Sequence, residues 1–143
     1  MTNVSEVYDN FLSKISDYNL LMGNLTDEEI LEDLDGYLKT AITKFYKCKS
    51  SLKIIVDAVG EKTFEEEVHP YGIEILTTLM LVEYLKPVVL SSEVLQQKLS
   101  DKDFKVTSQA NQLKELTLLY RMLKKEAGKM ITEYTYMDLG VDK

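Results

Sequence analysis

Toward the end of the chain, apolar residues recur at alternating spacings of three and four through Leu113, Leu116, Tyr120, Leu123, Ala127, Met130 and Tyr134. That spacing predicts a long helix with one buried seam. The surface away from the seam carries Lys114, Arg121, Lys124, Lys125 and Lys129, with Leu118 and Met122 one turn apart among them. A helix that is apolar on two sides calls for two partners, and the second is either another part of this chain or another copy of it. The helix is expected to begin between residues 105 and 110, with Thr107 or Ser108 as its cap. After Tyr136 the period fades, so residues 137–143 are expected to form a flexible arm that orders on a partner.

Upstream, Asp9, Phe11, Leu12, Ile15 and Tyr18 suggest an amphipathic segment over residues 5–21, ended by Gly23 and Asn24. Thr26 followed by Asp27, Glu28 and Glu29 reads as a capping box with an acidic first turn. The helix it opens carries one stripe of Ile30, Leu34, Tyr37, Ala41 and Phe45, with Leu31, Leu38 and Ile42 beside it, and ends near Lys47. Residues 49–69 are the least regular. Leu52 to Val56 fits either a short strand or a helix start, Gly60 breaks it, and Glu65, Glu66 and Glu67 read as a solvated surface. Pro70 suits the start of a helix. From Ile73 to Leu85 apolar residues cover nearly every side, which marks the central, buried helix. Pro87 is expected to end or kink it, leaving a shorter amphipathic piece over 88–99 with Val89, Leu90, Val94, Leu95 and Leu99. The elements predict an all-α fold: a small helical bundle with a long C-terminal amphipathic helix and terminal arms, built as a single domain over residues 1–136.

Composition narrows the possibilities. A chain of 143 residues, 45% hydrophobic and 29% charged, buries its own core as one small folded domain. The net charge of -7 argues against tight non-specific binding to duplex nucleic acid. The single cysteine, Cys48, forms no internal disulfide. No secretory signal pattern is evident, and the apolar run of residues 73–85 is too short and polar to cross a bilayer.

Candidate chemistry is sparse. His69 with the three glutamates before it matches no helical zinc spacing, and reads as a loop histidine beside a helix-starting proline. Cys48 as a nucleophile needs a base, which the sole histidine would have to supply; it reads as a structural cysteine at a helix end. Nucleophile elbows, Walker loops and dinucleotide glycine fingerprints are all absent. The pairs Glu28/Glu32 and Glu29/Asp33 fit a solvated helix face. The basic ridge of Lys114, Arg121, Lys125 and Lys129 lacks interleaved aromatics and holds one arginine, so it is expected to pair with the acidic helix of residues 28–35, within or between chains, rather than to read bases. Tyr136 lies past the seam and suits an interface. No catalytic residue, metal or cofactor is expected, and the candidate interface comprises Leu118, Met122, Arg121, Lys125, Tyr136, Met137 and Leu139.

One further pattern concerns longer strings of residues. Glu74-Ile75-Leu76-Thr77-Thr78-Leu79-Met80, Glu83-Tyr84-Leu85-Lys86-Pro87, Asp101-Lys102-Asp103-Phe104, Ser108-Gln109-Ala110-Asn111 and Thr132-Glu133-Tyr134-Thr135-Tyr136 occur in this order. In these strings the chain resembles the small helical head-tail connector, or adaptor, proteins of tailed bacteriophages. The resemblance covers about half the chain; residues 49–69 depart from it. It implies a non-enzymatic virion protein in the phage neck, assembled in the host cytoplasm into a ring, dodecameric by analogy, beneath the portal protein. It further implies contact with the next neck or tail component, and a channel through which DNA passes without sequence-specific binding. The alternative is a small cytosolic helical module that binds a partner protein through an amphipathic groove.

Overall fold

The computed structural model describes residues 2–17, 27–98 and 108–137, and within them all side chains but those of residues 17, 27–31, 88, 91–98 and 108–113. Four helices, α1 (Val4–Asp17), α2 (Asp27–Lys44), α3 (Pro70–Lys98) and α4 (Ser108–Tyr136), surround one core, with a small hairpin of β1 (Ile54–Val56) and β2 (Lys62–Phe64) between α2 and α3. The fold is all-α in character, as the periodicity predicts, and the two short strands are its one β element among the described residues.

α3 is the hub because it is apolar all round. Ile75, Leu76, Met80, Leu81 and Leu85 are fully buried, and α1, α2 and α4 each pack against it. Thr77 and Thr78 enter the core with the cost of burying their hydroxyls offset, because each donates to a carbonyl one turn back, Ile73 O and Glu74 O at 2.9 Å. Gly72 lies near both Phe45 and Tyr134, while Tyr37 meets Tyr84 and Thr78 meets Met130 farther along. α2 and α4 therefore both run opposite to α3.

α1 buries Val4, Val7, Phe11 and Ile15 at helical spacing, whereas Leu12 is exposed. Phe11, Tyr37 and Tyr84 form an aromatic cluster with centroids 5.8 to 6.0 Å apart, joining α1, α2 and α3. In α2, Leu34, Leu38, Ala41 and Phe45 are buried and Tyr37 packs beside them. The side chains of Ile30 and Leu31, the Thr26 cap, and residues 18–21 of the first expected segment lie outside the described residues.

One expectation changes here and one open choice is settled. Pro87 does not end the helix: α3 continues to Lys98, joining the segment expected to be separate. Proline removes one backbone donor, leaving the Glu83 carbonyl without its helical partner. Pro87 itself is exposed, and Val89 beyond it is buried. The choice left open over Leu52 to Val56 resolves as strand. Ile54, Ile55 and Val56 pair with Phe64, Thr63 and Lys62. The connecting turn needs Gly60 at φ +87°, and Asp57 Oδ1 accepts the N–H groups of Val59 and Glu61 at 2.9 and 2.8 Å.

Thr2 and Asn3, ahead of α1, are docked on the hairpin and the segment after it. Thr2, 1% exposed, accepts the Val68 N–H at 2.8 Å and donates to Glu67 at 2.9 Å, while its carbonyl accepts the Phe64 N–H. Asn3 forms an antiparallel bridge with Thr63, which covers the outer edge of β2.

Candidate interaction surface

α4 has two faces of different character. On the core side Leu123, Ala127, Met130 and Tyr134 are buried, and Leu116 and Tyr120 are partly buried against them. This reproduces the predicted seam; the Leu113 side chain lies outside the described residues. On the outer side Leu118 and Met122 are 57% and 54% exposed, one turn apart. Lys114, Arg121, Lys125 and Lys129 are exposed around them. Among the described residues the ridge makes no ion pair with α2, the ion pairs being Lys14–Glu74, Lys44–Glu83 and Lys62–Asp35, and the side chains of residues 28–31 lie outside the described residues. The ridge and the apolar pair thus form one surface that no other described residue pairs with.

Tyr136 closes α4 with 85% of its surface exposed. Met137 does not share this freedom, contrary to its expected place in the arm. It packs on the core, its N–H reaches the Tyr134 carbonyl at 3.1 Å, and its own carbonyl accepts the Lys49 ammonium at 2.7 Å. Leu139, with the rest of the expected arm, lies outside the described residues.

Tyr134 positions this end of the helix. Its ring meets Phe45 edge-on at 5.0 Å, and its hydroxyl oxygen accepts the Lys49 N–H at 3.1 Å and lies 3.6 Å from Cys48 Sγ. Burial, joined by the contact with Cys48, pushes the phenol up to about 12 against the opposing pull of the Lys49 N–H. Cys48 is a half-buried thiol between Ser50 and Tyr134.

His69 has a capping role. Its Nδ1 accepts the Tyr71 N–H at 3.1 Å and its carbonyl accepts the Ile73 N–H, so it opens α3 rather than sitting free in a loop. A half-open cleft of about 440 Å³ lies beside it, bordered by Thr2, Glu6, Lys49, Glu67 and Tyr134. Its polar groups are largely committed: Lys49 to Met137, Thr2 to Val68 and Glu67, Tyr134 to Lys49. Among the described residues no three His, Cys, Asp or Glu side chains converge on a metal position, and no helix is long and apolar enough to cross a membrane. Of the glutamates expected to be solvated, Glu66 also accepts the Ser51 N–H at 2.7 Å.

A second exposed apolar region was not anticipated. Ile55, Val56 and Val59 on the hairpin are 37%, 58% and 85% exposed. A run of β-branched residues ahead of an Asp-x-x-Gly turn was the available signal.

No family model, curated protein or solved structure matches this chain.

Proposed function

We propose that the protein is a non-enzymatic structural subunit that self-associates into a ring and serves as a head-tail connector of a tailed bacteriophage. The observation that carries this reading is the outer face of α4, where Leu118 and Met122 sit exposed in a cationic ridge while the opposite face holds the core together. Such a face suits a heterologous contact, and heterologous contacts repeated around an axis close a ring. Carboxylates of α2 on a neighbouring subunit complement the ridge, since Glu32 and Asp33 are exposed. The net charge of -7 gives a lumen past which DNA phosphates slide without adhering. In this reading the portal protein lies on one side of the ring, the next neck or tail component on the other, and Tyr136 lies at a contact point.

The test is the double variant Leu118→Glu with Met122→Glu. The variant is expected to keep its helical circular dichroism and to lose both ring formation and capture by portal-containing capsids. Loss of helical signal at ordinary temperature shows instead that these residues belong to the core. A wild-type chain that stays a small fixed oligomer and never binds portal supports the interaction-module alternative and refutes the connector.

A further inference from the structure

We propose that the outer edge of β1 pairs, antiparallel and across a twofold axis, with β1 of a second copy of this chain. The hydrogen-bond phase of the hairpin sets up the edge. Ile55 is paired with Thr63, the Asp57 N–H donates to Glu61 O, and the Glu65 N–H donates to Lys53 O. Positions 53, 55 and 57 therefore face β2, and by alternation the N–H and C=O groups of Ile54 and Val56 point the other way. Among the described residues those groups have no partner, while the opposite edge of the hairpin is covered by Asn3. An open edge beside exposed apolar side chains is a template for another strand.

Charge selects the occupant and the register. Along β1 the order is Lys53, Ile54, Ile55, Val56, Asp57. Laid antiparallel on itself about Ile55, the strand sets Lys53 opposite Asp57 of the second copy, twice by symmetry. The same register sets Ile54 opposite Val56, so their outward backbone groups exchange both bonds, and Ile55 meets Ile55 on the axis. Registers centred one residue to either side set Lys53 or Asp57 opposite Ile55 instead. The charges are available: Lys53 has no ion-pair partner among the described residues, and the turn uses only Oδ1 of Asp57. The hairpins then join as one four-stranded antiparallel sheet. The inference is independent of the connector reading and concerns the free protein.

The register gives a specific test in a Cys48→Ser background. In a non-hydrogen-bonded pair the two Ile55 Cα atoms lie about 4.5 Å apart, within disulfide reach. At roughly 1 mM subunit, where even a millimolar contact is substantially populated, Ile55→Cys is expected to oxidise to a covalent dimer at least about tenfold faster than Val59→Cys. Val59 is the more exposed position, so random collision predicts the reverse order. Equal rates, or faster cross-linking at Val59, overturn the proposal. In parallel, sedimentation of the native chain at that concentration is expected to move from 16.4 kDa toward twice that mass. Val56→Pro removes only an outward N–H and is expected to stay monomeric with unchanged circular dichroism. If Val56→Pro fails to fold, Ile55→Lys keeps every backbone bond and sets two ammonium groups together on the axis; a dimer that survives it refutes the pairing.

Discussion

Replacing Tyr134 with Phe removes one oxygen and leaves the ring in place, which isolates the polar half of the contact that anchors the end of α4. The edge-on packing against Phe45 at 5.0 Å is retained. The Lys49 N–H loses its acceptor at 3.1 Å, and Cys48 Sγ loses a neighbour at 3.6 Å. An orphaned, partly buried donor costs about 1 to 3 kcal/mol, and Lys49 is exposed enough for water to reach, so the lower half of that range, about 1 to 1.5 kcal/mol, is expected. Urea unfolding followed by far-UV circular dichroism measures it. The same variant tests the pH dependence. The folded phenol is raised from 10.0 to about 12, so the folded state holds the proton more tightly than the unfolded chain. Its contribution is complete below about pH 10 and is lost as pH rises through about 12. Tyr8, raised by burial and by its hydrogen bond to Asp35, loses stability in the same direction in both proteins, so the difference between them reports Tyr134. A Tyr134→Phe protein within about 0.3 kcal/mol of wild type at neutral pH, with the same alkaline decline, refutes the account.

Gly60→Ala is expected to cost about 1 to 2 kcal/mol through the backbone alone, because φ is +87° and nothing lies within 4 Å of the added Cβ; a neutral result in urea unfolding shows that the turn relaxes. Pro87→Ala restores a donor for the Glu83 carbonyl and is expected to raise stability by about 1 to 2 kcal/mol; a loss of stability shows that the core requires the proline geometry.

The long-range architecture was legible where one period runs for several turns. The seam of Leu123, Ala127, Met130 and Tyr134 and the all-round burial of α3 both follow from spacing, since 29-residue helices repeat the signal many times. Pro87 left open whether the helix ends or kinks, because its effect is local, while the burial of Val89 beyond it is set by the folded chain. β1 stayed one of two readings and β2 carried no signal, because strands of three residues have too few positions to show a period. Phe64 and Val68, both buried, are isolated apolar residues among glutamates. Thr2 is a small polar residue whose partners lie 65 and 66 positions away, so nothing near it in sequence marks it as buried. The α4 surface was visible as an excess of apolar residues beyond what one seam needs, whereas the fastening of Met137 depends on Lys49, 88 positions distant.

The two exposed apolar surfaces differ in the symmetry they allow, and this bears on how they can operate together. A strand edge pairing with itself is isologous: it consumes both copies' edges and ends at a dimer. The α4 face with its cationic ridge is not complementary to itself, because like charges would meet, so it requires a different surface on its neighbour and propagates around an axis. A ring between a portal and a tail must present two different ends, and twofold β1 pairing makes the ends equivalent. If the chain is the connector proposed above, the β1 dimer would therefore be confined to the free subunit, where it would cover the strand edge. On the same reading the α4 contact would form in the ring, and incorporation next to a portal would have to separate the β1 edges.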